Sequence, residues 1–343
     1  MSIAPGIRIL PLLLTMLLTA GACHKEDEYP NDAFGNFDLL WKIIDEHYCY
    51  LDTKGIDWQA VGESYRARIV PGITYEEYFN LCAEMLGELR DGHVNLSSQW
   101  DTSYYRKWWS DYPQDFNIRT LQEYYLKFDY KQTSGISYKV MTTPDSIGYI
   151  YYGSFSSTVG ETSLDYILSY LHDCKGLIID VRNNGGGEMT NIRTFVSRFI
   201  KERQCAGYMR HKTGPEHQDY SDPYPIWYDP AEAGRVTYYG PIAVLTNRSC
   251  FSATNDFVAI MKTLPQVTIV GARTGGGGGL PFSSELPIGW SVRFSACPVT
   301  DIEGNDIEEG ILPSEGHECH SPADILAEGR DPILDHALNL LSQ

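Results

Sequence analysis

The sequence predicts an α/β protein in which a parallel sheet flanked by helices follows a small helical subdomain. Three observations carry this expectation. First, the apolar runs Ile147 to Tyr152 and Gly176 to Val181 bracket an amphipathic stretch, Glu161 to His172. The second run leads into a glycine turn, Arg182 to Gly187, and then a helical pattern from about Met189 to Ile200. Strand, helix, strand, turn and helix make a βαβ unit, whose two strands pair in parallel. Second, Ile242 to Leu245, the turn TNRSCFSATND (Thr246 to Asp256) and a helix over Asn255 to Lys262 repeat the pattern. Third, Phe37 to Tyr48, Trp58 to Ile69 and Tyr75 to Leu89 place apolar residues at helical spacing ahead of the sheet.

Composition bounds what such a protein does. With 343 residues, 43% hydrophobic and 21% charged, the chain has room for one large core and a smaller one. A formal net charge of −18 disfavours nucleic acid or an anionic membrane surface as partner. Eight cysteines include no CxxC pair, so neither a zinc ribbon nor a disulfide framework is expected.

Taken in order, the chain opens on Arg8 and a short apolar run, Ile9 to Leu18, ending in LTAGAC. Small residues leading into Cys23 resemble the lipobox of bacterial lipoproteins, with Ala20 where leucine is usual. That implies a signal peptide over residues 1–22, lipidation of Cys23, a tether over 23–35 and an exported protein anchored by lipid to the outer membrane, on either face. An uncleaved anchor or a plain secretory signal are the alternatives. The helical subdomain spans residues 36–96 and ends in Asp91-Gly92-His93, where Asp91-Gly92 breaks the helix. His93 is either structural or aimed at a neighbouring site.

Residues 97–145 form an aromatic-rich connector containing Trp108, Trp109 and several tyrosines. Its rings pack a small β-rich connector or line a groove for an extended ligand. The larger domain covers 146–343. Its Asn183-Asn184-Gly185-Gly186-Gly187 turn lacks the spacing of a dinucleotide site and the lysine of a P-loop, so no nucleotide cofactor is expected. The turn does offer unobstructed backbone N–H groups beside a helix start, as an oxyanion hole requires. Residues 201–240 have the punctuation of a hairpin or loop excursion, and the five glycines Gly275 to Gly279 that of a flexible loop. That loop is either a plain linker or a cover that moves over substrate. Val267 to Val270, Glu285 to Pro287 and Ser291 to Phe294 complete the strands. His317, Cys319 and His320 have only a loose metal-ligand spacing, and no metal is expected.

The turn after Ile242 to Leu245 can hold a serine at a helix N-terminus, where free N–H groups favour negative charge. Ser252 is the candidate nucleophile, with Ser249 and Cys250 as rivals; a plain helix-capping serine is the structural alternative.

Five segments in order, DGH (Asp91 to His93), LIIDVRNNGGG (Leu177 to Gly187), PIAVLTNRSCFSATND (Pro241 to Asp256), VTIVGARTGGGG (Val267 to Gly278) and GNDIEEGILP (Gly304 to Pro313), together resemble the C-terminal processing and tricorn-type serine peptidases. The resemblance covers about Phe37 to Leu341. It implies a crotonase-like (ClpP/crotonase) core of parallel ββα units with a helical N-terminal subdomain, and hydrolysis of peptide or protein substrates without a cofactor. The processing branch places its lysine base at the position of Gly277 here, and no lysine follows Lys262. The tricorn-like branch uses a histidine from a motif like DGH, so Ser252 with His93 as base is expected. By match, Ala253 and Gly186, with Gly185 as neighbour, supply the oxyanion hole. Glu308, or alternatively Glu309, orients the histidine. Where the tricorn-type pattern has a serine before the histidine, this chain has Gly92. About 50 residues between helices and core leave no room for the PDZ domain of typical relatives. A binding protein that kept the fold but lost turnover, and a crotonase-type acyl-CoA enzyme, are the rival readings.

Overall fold

The computed structural model describes residues 29–142 and 146–343. The expected signal peptide, Cys23 and the first part of the expected tether, to residue 28, lie outside the described residues. Helices α1 (Ala33–His47), α2 (Trp58–Arg66) and α3 (Tyr75–Gly87) follow the three amphipathic patterns. Local chemistry sets their starts: the Asp32 side chain caps α1, Asp57 caps α2, and Thr74 with Glu77 forms a reciprocal capping box on α3. Strand β1 (Asn95–Ser97) follows. Short helices α4 (Lys107–Ser110) and α5 (Ile118–Thr120) and a π-helical turn (Leu121–Leu126) come next. The hairpin β2 (Lys131–Thr133) and β3 (Ile136–Met141) leads into β4 (Ile147–Tyr152), α6 (Glu161–Tyr170), β5 (Gly176–Asp180) and α7 (Met189–Val196). The chain continues through β6 (Gln204–Met209), β7 (Tyr224–Tyr228), β8 (Ile242–Thr246), α8 (Ala253–Lys262), β9 (Val267–Gly271), β10 (Gly279–Glu285), β11 (Ser291–Thr300), α9 (Ala323–Ala327) and α10 (Pro332–Leu341).

Two sheets result. The main sheet has the order β2-β3-β4-β5-β8-β9, with β4, β5, β8 and β9 parallel and the connector hairpin antiparallel at one edge. Strands β5 and β8 are buried along their whole lengths, which is why each is a continuous apolar run. On one face they bury Ile179 and Val244 against Leu164, Phe195, Phe257 and Ile260 of α6, α7 and α8. On the other, Ile178, Ala243 and Leu245 pack on Ile333, Leu334 and Leu338 of α10 and on Leu121 and Leu126. This is the ClpP/crotonase-like core with a mixed sheet and a helical N-terminal region.

The second sheet has the order β1-β11-β6-β7, with β10 paired along β11. Residues 201–240 therefore hold the hairpin of the two alternatives, β6 and β7 pairing antiparallel, with β6 also joined to β11. A bulge between Cys205 and Gly207 and the proline-rich flanks break the alternation that would have marked them. The helical subdomain shares its core with the second sheet: Phe37, Leu40, Ile44, Trp58, Tyr78 and Met85 cluster with Trp290, Val292 and Phe294 of the distant β11 region. The amino-terminal helices are thereby fixed against the second sheet.

The glycine run Gly275 to Gly279 is not an open loop. All five residues are buried, and the run is tied by bonds from Gly275 N to Cys250 O (2.7 Å), Ser252 N to Gly276 O (2.9 Å) and Gly278 N to Glu308 Oε2 (3.0 Å). At Gly276, with φ of +83°, a Cβ would lie 1.7 Å from the Glu308 carbonyl oxygen. Close backbone approach, rather than mobility, is why glycine stands there.

Candidate active site

Parallel pairing in register, with Asp180 opposite Leu245, brings the turns after β5 and β8 to the same edge of the sheet. Ligands of open α/β sheets bind at that carboxyl edge. Ser252 lies between β8 and α8 with φ 57° and ψ −127°, a left-handed conformation uncommon for a residue with a side chain. It occupies the N-cap position of α8, yet its hydroxyl makes no capping bond. The Oγ is instead 2.8 Å from His93 Nε2, although the two residues are 159 positions apart. Of the rivals, Cys250 is fully buried, with its thiol 3.0 Å from the Val181 carbonyl oxygen.

His93 is delivered by the break after α3. Arg90 takes a left-handed φ of 51°, and Asp91 Oδ1 accepts the His93 backbone N–H at 2.7 Å. This local aspartate turn directs the chain toward β1. The imidazole is 3% exposed and packs on Phe251, ring centroids 4.7 Å apart. Burial lowers its pKa to about 4, against the pull of Asp91 and aided by Arg293 and Lys54. The ring is thus neutral at neutral pH, as a proton acceptor must be. Its Nδ1 is buried and has no hydrogen-bond partner among the described residues.

Glu308 does not reach that nitrogen. Its Oε1 accepts from Lys54 Nζ at 2.7 Å and its Oε2 from Gly278 N–H. Burial and Asp91 push its carboxyl up to about 8, with Lys54 pulling the other way. Glu309 is exposed, and its carbonyl oxygen accepts from Arg248 at 3.3 Å. The acid next to His93 is Asp91, whose Oδ2 accepts from Tyr48 OH (3.0 Å) and Ser295 Oγ (2.8 Å) and lies 3.8 Å from Lys54 Nζ. Burial raises the Asp91 pKa, but Lys54 and His93 more than offset it, so its carboxyl titrates below the ordinary range. The sequence signal for Asp91 was present, but its Asp-Gly pair reads first as a helix stop. Lys54 had no signal, because nothing in its loop foretells a long-range pairing.

The glycine turn meets the serine turn directly. At Gly186 (φ +101°) a Cβ would lie 2.8 Å from Phe251 O and 3.0 Å from both Ala253 N and Ser252 Cβ, so only glycine lets the turns approach. The Gly186 N–H donates to Asn184 Oδ1 at 3.0 Å and is thereby engaged. The N–H groups of Gly185 and Ala253 make no hydrogen bond among the described residues. Arg182 fixes the turn's start: fully buried, it bonds Asp180 through Nε (3.0 Å) and Nη2 (2.7 Å) and Asp331 through Nη1 (2.9 Å).

Gly92 and Gly277 account for two substitutions in the motif. A Cβ at Gly92 would meet Trp108 Nε1 at 2.5 Å, and one at Gly277 would meet the Phe251 ring at 2.6 Å. The space for a relay serine or a lysine base is filled by aromatic rings. Of the carboxyl-terminal candidates, the two histidines pair with other side chains: His317 with His336 (2.9 Å) and His320 with Asp115 (2.7 Å).

Comparison with known proteins gives the family. The profile of peptidase family S41 matches residues 146–315, and that of the tricorn protease C1 domain matches residues 29–87. The crystal structure of a candidate peptidase from Parabacteroides merdae is 46% identical, covers 92% of this chain and 98% of its own, and superposes with a TM-score of 0.85. The carboxy-terminal processing protease CtpA of Bacillus subtilis is 27% identical over 171 residues, 49% of this chain. That match spans 34% of the relative's own length. Mature CPAF complexed with lactacystin shares the fold at 15% identity, with a TM-score of 0.68 and coverage of 91% of this chain and 98% of its own. This chain belongs to peptidase family S41.

Proposed function

We propose that the chain is a serine endopeptidase that hydrolyses peptides or unfolded proteins by a Ser-His mechanism. The observation that carries the reading is the 2.8 Å contact between Ser252 Oγ and His93 Nε2. His93 takes the hydroxyl proton as Oγ attacks the scissile carbonyl, then returns it to the leaving amine as the acyl-enzyme forms. Water then enters, with His93 again as base, and releases the acid product. The developing oxyanion faces the N–H groups of Ala253 and Gly185. Gly186 contributes the close approach of the two turns, since its own N–H is bonded to Asn184.

A second reading, a binding protein on this fold with weak or no turnover, draws on one feature. The unpartnered Nδ1 leaves the imidazolium formed during attack without a direct hydrogen-bonding acid. Hydrolysis of an unfolded protein such as reduced casein by wild type and by Ser252→Ala discriminates the two. Turnover confined to wild type supports the peptidase; none in either supports the binding protein.

For location, we propose export and lipid attachment at Cys23, as residues 8–23 suggest. Among the described residues no helix is long and apolar enough to cross a membrane.

A further inference from the structure

Behind His93 lies a buried polar cluster drawn from five separate stretches of chain. Tyr48 ends α1, Lys54 sits in the loop before α2, Asp91 follows α3, Ser295 lies on β11, and Glu308 is in the loop after it. Among the described residues Lys54 is its only cation in hydrogen-bond contact: Nζ is 2.7 Å from Glu308 and 3.8 Å from Asp91, and its side chain is 8% exposed. Both carboxylates accept backbone N–H groups of the catalytic loops, Asp91 from His93 and Glu308 from Gly278. Gly278 lies two residues beyond Gly276, whose carbonyl oxygen holds the Ser252 N–H at 2.9 Å. One ammonium group therefore stands between the carboxylate that places the base and the carboxylate that braces the nucleophile's loop.

We propose that Lys54 is a positioning residue for the Ser252-His93 pair, setting both the placement and the basicity of His93 through Asp91. The inference rests on the peptidase reading of that pair. A buried counter-ion alone would matter only for stability: losing it leaves Asp91 and Glu308 without their cation, and removing one of the two acids restores much of the balance. A positioning role is different, because restoring the charge balance does not restore the geometry that Lys54 imposes on Asp91.

Basicity follows the same wiring. The charged groups that act on His93 are Asp91, which favours its protonated form, and Arg293 of β11 and Lys54, which oppose it. Tyr48, Cys49, Asp306 and Glu308 face Lys54 and Asp91 rather than the ring. Removing the positive charge of Lys54 therefore moves the His93 titration to higher pH.

The test uses the full chain as wild type, Lys54→Arg, Lys54→Met and the charge-balanced Lys54→Met/Glu308→Gln. Each is measured for kcat and KM on an unfolded substrate, for thermal midpoint and for the His93 ring titration by NMR, its signal assigned by loss in His93→Gln. We expect Lys54→Arg to behave as wild type. We expect Lys54→Met and the double variant to lose about tenfold or more in kcat with little change in KM, as misplacement of a catalytic group does. Their His93 titration moves to higher pH, and the double variant regains thermal stability without regaining kcat. A folded double variant with wild-type kcat, or an unmoved His93 titration in Lys54→Met, overturns the proposal. Because the titration needs no turnover, it decides the role of Lys54 even if wild type proves inactive, an outcome that would instead remove the peptidase reading.

Discussion

Trp108 stacks on Phe251 with ring centroids 4.1 Å apart and an interplanar angle of 25°, and Phe251 in turn lies against His93. The aromatic connector thus packs on the Ser252 turn, with Trp108 also crowding Gly92 and Gly275. Trp108→Ala should lower kcat by roughly tenfold or more, because Phe251, the wall against the His93 ring, loses its backing. Steady-state kinetics decide it: an effect on KM alone would return Trp108 to the role of a peptide-binding residue.

The buried Arg182 forms ion pairs with Asp180 and Asp331 and holds the glycine turn to the sheet and to α10. Arg182→Met leaves two carboxylates buried without their cation, which costs about 3–5 kcal/mol. Chemical denaturation should show that loss. A change under about 1 kcal/mol would mean that other partners, such as Tyr149 on Asp180 and Ser321 on Asp331, suffice.

Burial, the largest cause, sets His93 to about 4, below the ordinary histidine range. Because the pKa is depressed, the ring stays neutral and able to accept a proton until the pH falls toward that value. Activity should therefore persist on the acid side with a limb near pH 4. A limb near pH 6.5, the unperturbed histidine value, would contradict the burial argument. The same shift means that the unfolded chain binds the proton more readily than the folded one. His93 accordingly destabilises the fold as pH drops from about 6.5 to about 4.

The buried glycine run should resist limited proteolysis until the whole domain opens, since its backbone is bonded throughout. Cleavage within 275–279 under native conditions would restore the mobile-cover reading. Gly276→Ala should fail to give a stable catalytic domain, because its Cβ would meet the Glu308 carbonyl and its φ is left-handed.

Much of this was legible in the sequence because local signals and tertiary structure agree. The buried strands β5 and β8 are written as apolar runs, and α1 to α3 as helical stripes with caps at Asp32, Asp57 and Thr74. Ser252 and His93 were legible only through ordered motifs. Nothing local distinguishes Ser252 from Ser249, and an isolated histidine after a helix carries no address. What stayed hidden depends on contacts between distant segments. Lys54, which captures Glu308 across 254 positions, is one case. The attachment of the β6–β7 hairpin to β11 is another, because bulge and proline leave no clean alternation to announce the pairing. The glycine run misled for a related reason: local composition records conformational freedom, whereas Phe251, Trp108 and Glu308 crowding in from elsewhere demand the absence of side chains.

The central claim is that Ser252 is a nucleophile activated by His93. Its most direct measurement is labelling by a fluorophosphonate probe of wild type, Ser252→Ala and His93→Ala proteins, followed by mass spectrometry of the modified peptide. Wild type should be labelled on Ser252, Ser252→Ala should not be labelled, and His93→Ala should react at least about a hundredfold more slowly, the scale of a lost general base. Labelling that survives in Ser252→Ala, or an undiminished rate in His93→Ala, would contradict the claim.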